Sequence, residues 1–600
     1  MFRHSHVSWI PILLLFFCAT GRIANAAVQT IMTPTIPDVG ARVPFVTLEA
    51  EDAANTTNGR IIRLQKPPAN NHSAPELEAS GRAYVELTRE GDTLELPVPV
   101  HADTIVLRHC IPDTPEGGGQ SATLCLLVND QPRQTLTLTS KHNWIYHPAK
   151  PSKTPGLKPN PNDPATGTPR AFWDETRFRI SGPALKPGDR LQFRKTTADT
   201  TAYYRIDLLD LEQAPPPLLP PSPGTYLSVL DFGARPDDDT DDTAAIKACI
   251  DAAMTQKKTV WFPPGVYHHN QQFRLDGVKL RGAGMWHTAL IGTANGSVRD
   301  FGFRIAGDGA EVRDLFIENA IVDRRGSGAK AFTSARSDSA INWRVENVWV
   351  THSHVGFWMS GAHDGIVRGC RVRFTFADSL TFNSGSSRNF IEHNHVRGSG
   401  DDGIATLSET TGGRHKGIAG SAVSTGNIFR HNTIVANWWG HNADLAGGTG
   451  HVFENNYLAD NSAMGCLTIN HPIPFPMHDL TDSVIRGNVI VRGGGRITGQ
   501  LRGAVWIYTG SASARNILIE DNHILDSLYR GIHLTGPATQ EIRFVRNRII
   551  NPGAEGVYID KLVTGSGVFE NNYTSGATAV PFRNDAAATA YNVSSTDNNW

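Results

Sequence analysis

The sequence predicts an all-β protein in which a right-handed parallel β-helix follows an antiparallel β-sandwich. Three observations carry this reading. A six-residue pattern recurs along the second part of the chain. Several of its copies lie 22 to 26 residues from a neighbour, and a proline-rich stretch separates this part from one built of short alternating runs. With 600 residues, 40% of them hydrophobic and 19% charged, the chain is long enough for two cores and is not compositionally disordered. A formal net charge of −2 gives no electrostatic reason to bind nucleic acid or an anionic membrane, so a neutral ligand fits better.

Arg3 and His4 lead an apolar run from Trp9 to about Ala19, and Ala24-Asn25-Ala26 offers a cleavage site. Residues 1–26 are therefore expected to be a signal peptide lost on export to the periplasm or the medium. The run is too short to span a bilayer, and no other apolar run reaches about 18 residues, so no transmembrane helix is expected and the chain is read as a soluble monomer. From residue 45 to 213, runs such as Thr93-Leu-Glu-Leu-Pro-Val, Thr104-Ile-Val-Leu-Arg, Leu124-Cys-Leu-Leu-Val and Thr135-Leu-Thr-Leu-Thr alternate between turn residues, as in a β-sandwich. A Lys/Pro-rich insertion from about Pro148 to Pro169 reads as a long surface loop. Cys110 and Cys125 sit on neighbouring runs, and spacing leaves open whether they are bridged. Cys249, Cys370 and Cys466 read as buried small hydrophobes. Residues 214–224, APPPLLPPSPG, form a semi-rigid connector.

The β-helix is assigned to residues 225–600. It opens with Val229-Leu-Asp-Phe-Gly-Ala, an acidic run from Asp237 to Asp242, and then Ile246, Cys249, Ile250 and Ala253 at helical spacing. That helix, capped by Asp242 or Thr243, is read as a plug over the end of the solenoid, and the acidic run as a solvated turn. The repeat itself runs through Val345-Glu-Asn-Val-Trp-Val, Val367-Arg-Gly-Cys-Arg-Val, Ile391-Glu-His-Asn-His-Val, Phe429-Arg-His-Asn-Thr-Ile and later copies to Phe569-Glu-Asn-Asn-Tyr-Thr. A period of about 24 is one coil of three short strands, stacked at about 4.8 Å per coil. The recurrent Asn is expected to tolerate a left-handed turn and to form an amide ladder between coils.

The same period points to a site. Asp378 precedes the pair Asp401 and Asp402 by 23 and 24 residues, one coil, so the three should lie together on adjacent rungs. Acids this close repel one another and raise at least one pKa, which keeps a protonated acid beside an ionised base. Ser-Gly-Asp-Asp-Gly is also a good turn, and clustered carboxylates also suit calcium, so turn, metal and catalytic readings all stand at this point. Trp438, Trp439, His441 and Asn442 follow about one and a half coils later, as lining for a sugar-binding groove or as core. Trp506 and Tyr508 share one face of a strand, inside or out.

Asp231-Phe-Gly-Ala, Thr240-Asp-Asp-Thr, Gly282-Ala-Gly-Met-Trp, Thr375-Phe-Ala-Asp, Gly400-Asp-Asp-Gly and Ile524-Leu-Asp-Ser-Leu-Tyr together resemble glycoside hydrolase family 87, the bacterial α-1,3-glucanases and mycodextranases. The resemblance implies an inverting, endo-acting hydrolase of α-1,3-glucosidic linkages in α-1,3-glucan or nigeran. Asp378, Asp401 and Asp402 would be its catalytic acids, working without a catalytic cofactor. One departure is visible: Ser379-Leu380 stands where the family usually has Gly-Ile or Gly-Val. Leu48-Glu-Ala-Glu-Asp, Ala79-Ser-Gly-Arg-Ala-Tyr-Val and Tyr204-Arg-Ile-Asp-Leu-Leu-Asp-Leu-Glu make the first module look like carbohydrate-binding module family 35. That likeness implies a structural calcium on Glu49, Glu51 and Asp207. The rival expectations are a polygalacturonase-like hydrolase, a calcium-dependent polysaccharide lyase and a non-catalytic glycan-binding protein.

Overall fold

The computed structural model describes residues 38–65, 67, 74–148, 164–293, 301–319, 321, 329–410, 422–473, 475–497 and 500–600. The expected signal peptide and most of the Lys/Pro-rich insertion lie outside the described residues. In the first module, one antiparallel sheet is ordered Asp174–Arg179, Thr104–Cys110, Tyr204–Glu212, Ala83–Leu87, Arg60–Arg63, with Phe45–Glu49 also on Tyr204–Glu212. A second sheet runs Thr56–Thr57, Thr93–Pro97, Arg190–Arg194, Ser121–Val128, Gln131–Thr139. Alternation turns Leu107, Leu209 and Val85 of the first sheet onto Leu94, Leu126, Leu191 and Phe193 of the second, making the sandwich core. Cys110 and Cys125 are both free thiols. They belong to opposite sheets, and Cys110 packs with Tyr84 and Trp173 rather than in the inter-sheet core, so the sandwich geometry keeps the pair apart. The base of the insertion is a hairpin, Trp144–Pro148 against Gly167–Ala171.

The second module is a stack of parallel strands. One face is a 12-stranded sheet from Gln272–Asp276 to Phe582–Asn584. On the opposite side, Val367, Ile391, Phe429, Phe453, Ile485, Ile519, Phe544 and Phe569, the first residues of the repeats, stand in register on successive coils. All are buried in one continuous core. A single such side chain is worth about 1.5–3 kcal/mol when fully buried, and stacking lets every coil bury both edges of its neighbour's.

The expected amide ladder is present. Nδ2 of Asn394 donates to Oδ1 of Asn432 at 3.0 Å, and the chain of bonds continues through Asn456, Asn488, Asn522, Asn547 and Asn572 to Asn598. The second amide hydrogen of each goes to a backbone carbonyl, as Asn488 to Phe453. The left-handed residue, however, is the one before the ladder Asn: His393, His431, Asn455, Asp521, Arg546 and Asn571 have φ between 52° and 56°. The division follows from demand. The turn position needs positive φ and faces outward, whereas the ladder position needs a buried amide and takes ordinary backbone angles.

Thr243–Gln256 is the expected helix, and Ile246, Cys249, Ile250 and Ala253 close the end of the core. Its start differs from expectation. Asp242 spends its carboxylate on the backbone N–H groups of Arg235 and His268, and the N–H of Thr243 donates instead to Asp241. The connector runs along the solenoid, with Leu218 N–H donating to Ala283 and His287 reaching the carbonyl of Pro215.

Residues 38–600 form one unit, and the sandwich is docked on the β-helix through buried charge. Arg371 grips Glu212 with two bonds of 2.7 and 2.8 Å, Arg397 meets Asp210 at 2.6 Å and Glu175 at 2.5 Å, and Arg373 lies 3.0 Å from Glu175. These guanidinium groups come from strands Arg371–Arg373 and His395–Arg397, which stack residue on residue in adjacent coils. Arg82 adds bonds to the carbonyls of Asn461 and Arg492.

Candidate active site

Three turns on successive coils build the site. Asp378 ends the turn before Leu380–Asn383, Asp401 and Asp402 the turn before Ile404–Leu407, and His441 the turn before Ala443–Ala446. Backbone bonds tie them together: Ser379 N–H to Asp402 O at 2.8 Å, Gly403 N–H to His441 O at 2.8 Å, and Ile404 N–H to Asn442 O at 2.9 Å. The one-coil spacing thus brings Asp378, Asp401 and Asp402 together, with one carboxylate oxygen from each within 4.8 Å of the others. Asp378 and Asp402 are buried, while Asp401 is half-buried at the rim. The N–H of Asp402 donates to Asp378 at 3.3 Å. Gly440, at φ 61°, presses so close to Asp401 that a Cβ would stand 2.6 Å from its Oδ1, which is why that turn takes glycine.

His441 is the counter-charge. Its Nδ1 donates to Oδ1 of Asp402 at 2.8 Å, and its backbone N–H reaches the same oxygen at 3.1 Å. Burial by itself would favour the neutral ring, but Asp402 and Asp444 outweigh it and push the imidazole up to about 9. Asp444, whose Oδ2 is 3.8 Å from Nδ1, is raised to about 7 by burial and by Asp402 against the pull of His441. Asp444 also accepts from Thr468 at 2.7 Å. Asp444 escaped the sequence reading, although a lone Asp within the strand Ala443-Asp-Leu-Ala, one coil on from the acidic pair, was a usable signal.

Of the residues expected to bind sugar, two are core. Trp438 is 3% exposed, with Phe172 edge-on at 4.7 Å, the Arg170 guanidinium 5.5 Å from the ring and its Nε1 donating to Thr375 O, so it presents no open face. Trp439 belongs to the same buried cluster. Asn442 is a strut: its amide donates to the carbonyls of Ile434 and Ala459 and accepts from Asn461. Trp506 and Tyr508 point outward, since Val505 and Ile507 take the core positions between them. Their rings stack at 5.4 Å and 6°, Arg502 lies over Trp506 at 4.4 Å, and Trp506 is 6.2 Å from His441. In register with Trp506 across the sheet stand Asp444, Thr468, His533 and Tyr558, which extends an outward row away from the aspartates.

The Ser379-Leu380 departure is absorbed. Ser379 Oγ joins a buried hydroxyl network with Thr375 at 3.0 Å and Ser399 at 3.1 Å, while Leu380 stacks between Phe357 and Ile404 in the core. In the first module, Asp207 accepts from Ser80 N–H and is ion-paired with Arg108, so both its oxygens are engaged. Glu49 accepts from Ser80 Oγ at 2.6 Å, and Oε2 of both Glu49 and Glu51 is buried without a hydrogen bond. Burial first and then the Asp207 carboxylate raise Glu49 to about 8, burial and then Glu49 raise Glu51 to about 9, and burial against the pull of Arg108 raises Asp207 to about 6. Glu49 and Glu51 thus fit a cation or retained protons, whereas Asp207 is already neutralised.

A parallel β-helix that gathers three aspartates at turns leading into one sheet suits a glycoside hydrolase, and the family match establishes that class. The chain belongs to the α-1,3-glucanase catalytic-domain family: residues 241–598 match its domain D2 and residues 42–214 its domain D1. The sandwich that resembles a carbohydrate-binding module is by this match the first domain of the catalytic unit. The fold is shared with the Agl-KA catalytic domain (24% identity, TM-score 0.80, 93% of this chain and 98% of that one). It is shared too with a family 87 α-1,3-glucanase solved with tetrasaccharides (24%, 0.81, 94% and 100%). A third likeness is to the catalytic unit of a thermostable α-1,3-glucanase from Streptomyces thermodiastaticus (26%, 0.77, 94% and 97%). No curated protein matches the sequence.

Proposed function

We propose that the chain hydrolyses α-1,3-glucosidic linkages within α-glucans, with Asp401 protonating the leaving oxygen and Asp378 and Asp402 holding and deprotonating the attacking water. The convergence of these three carboxylates carries the reading. Asp401 at the rim reaches a departing sugar. Asp402 accepts from His441 Nδ1 at 2.8 Å and from its backbone N–H at 3.1 Å, which aims its carboxylate at the position a water would take between it and Asp378. Family 87 glucanases solved with nigerose or tetrasaccharides carry Asp→Ala changes at three positions separated by 23 and 24 residues, the spacing of Asp378, Asp401 and Asp402. The outward row from Asp444 to Tyr558 would extend the sugar path.

Inversion is taken from the family resemblance. Carboxyl groups are about 6.5–9.5 Å apart in most inverting glycosidases, wider than the 4.8 Å nearest-oxygen limit here, so proton NMR of the first-formed anomer is the decisive stereochemical readout. Endo action is read by the distribution of early products, and export by an intact mass beginning near Ala27. A structural calcium held by Glu49 and Glu51 is part of the proposal for the first domain.

Reducing-sugar release from insoluble α-1,3-glucan, nigeran, dextran and polygalacturonate, with wild type and Asp401→Asn, is the test. Release from an α-1,3-linked glucan alone, lost in the variant, supports the proposal. Cleavage of polygalacturonate that stops with chelator and leaves an unsaturated product would establish a lyase instead.

A further inference from the structure

A second constellation lies where the two domains meet, away from the aspartates. His142 and Asp174 come from the sandwich, Glu318 and His352 from the β-helix strands Glu311–Glu318 and Arg344–Thr351 and the turn after them. His142, Asp174 and His352 are buried, and one ligand-type atom of each falls within 4.8 Å of the others. His352 is bracketed: Nδ1 lies 3.1 Å from Glu318 Oε1, and Nε2 lies 2.8 Å from Asp174 Oδ1. The His142 ring stacks on it at 3.6 Å and 12°.

His142 is the unexplained member. Its side chain is 4% exposed, yet neither ring nitrogen makes a hydrogen bond, and the nearest carboxylate oxygen, Asp174 Oδ2, stays 3.6 Å from Nδ1. A buried imidazole without partners gives up hydrogen bonds it would have in water. The neighbouring guanidinium groups do not supply the missing contact. Arg373 is committed to Glu175, and Arg177 to Met285 O and the faces of Phe316, Trp286 and Trp349.

We propose that His142, Asp174 and His352 form a binding site for a divalent transition-metal ion of the zinc class, with Glu318 orienting His352, and that the ion staples the sandwich to the β-helix. Two imidazole nitrogens and a carboxylate suit zinc rather than calcium, which prefers an all-oxygen shell. Neighbouring ligand atoms on a tetrahedral zinc stand about 3.3 Å apart, and the 2.8 and 3.6 Å separations here bracket that value. Glu318 takes the place of the carboxylate that usually holds the second nitrogen of a ligating histidine. A cavity of about 350 Å³, lined by His142, Asp174, His352, Glu318 and Thr139 among others, adjoins the ligands and gives an ion both a route and room for a water as fourth ligand.

The test uses the full chain, stripped with chelator and dialysed, then titrated with zinc chloride, cobalt chloride or calcium chloride. No substrate is present, so the outcome is independent of the hydrolase reading. Wild type is expected to bind zinc at this site, to give the visible absorption of tetrahedral cobalt, and to gain melting temperature on zinc addition. His142→Ala should lose one equivalent of zinc and the thermal gain, while melting in chelator within a few degrees of wild type. His441→Asn, which alters the carboxylate cluster at the aspartates, should keep that equivalent. Glu318→Gln, on a partly exposed side chain, should weaken zinc about 10- to 100-fold and serves if His142→Ala fails to fold. Absence of zinc from wild type, equal zinc in wild type and His142→Ala, or loss only in His441→Asn would overturn the proposal.

Discussion

Asp210 and Asp444 are both fully buried carboxylates in the same molecule, and their surroundings treat them in opposite ways. At the domain junction, burial would raise Asp210, but Arg397 outweighs it and holds the acid below its ordinary value. In the active site, burial raises Asp444 to about 7, Asp402 adds to the rise, and His441 offsets only part of it. The difference lies in the counter-charge. A guanidinium is always ionised and forks onto a carboxylate, so Asp210 is held as an anion and serves architecture. An imidazole can lose its proton, so Asp444 beside it remains able to exchange its own.

The contrast can be broken from the active-site end first. Asp401→Asn and Asp402→Asn should each lower kcat on α-1,3-glucan by about 10²–10⁴-fold with melting temperature nearly unchanged, as single-turnover assays and calorimetry would show. His441→Asn should lower kcat by roughly 10- to 100-fold. Because the His441 proton is held until about pH 9, the wild-type alkaline limb is expected near that value, and a pH–rate profile of the variant should lack it.

At the junction the expected loss is in stability. Arg397→Met leaves Asp210 without its guanidinium partner and Glu175 with Arg373 alone, and should cost about 3–5 kcal/mol by denaturant unfolding, with activity of the folded fraction retained. If that variant instead abolished kcat at full stability, the division between architectural and catalytic acids would fail. Within the solenoid, Asn488→Ala interrupts the ladder between Asn456 and Asn522 and should cost about 1–3 kcal/mol.

Glu49 and Glu51 sharpen the comparison most gently. Their folded values of about 8 and 9 exceed the unfolded 4.5, so the folded chain holds extra protons between these limits. Their contribution is therefore complete below about pH 4.5 and is lost as pH rises through 8 to 9. A falling melting temperature across that window, flattened by calcium, is the expected result. A flat profile without calcium would show that the pair is neutralised in some other way.

The sequence by itself determined the solenoid and the place of its aspartates. In a parallel β-helix the coil period converts sequence distance into spatial distance, so residues 23 and 24 apart are neighbours, as Asp378, Asp401 and Asp402 are. The ladder of Asn was legible for the same reason. Which turn residue took the left-handed angle was not, because backbone demand and amide burial fall on adjacent positions that both favour Asn. Only the tertiary structure decided that Trp438 and Trp439 are core, that Cys110 and Cys125 face apart, and that Arg397 meets Glu175 across 222 residues of chain. The physical reason is that no repeat relates position in the chain to position in space, either within the sandwich, whose two sheets part the cysteines, or across its junction with the β-helix, which covers the tryptophans and pairs Arg397 with Glu175.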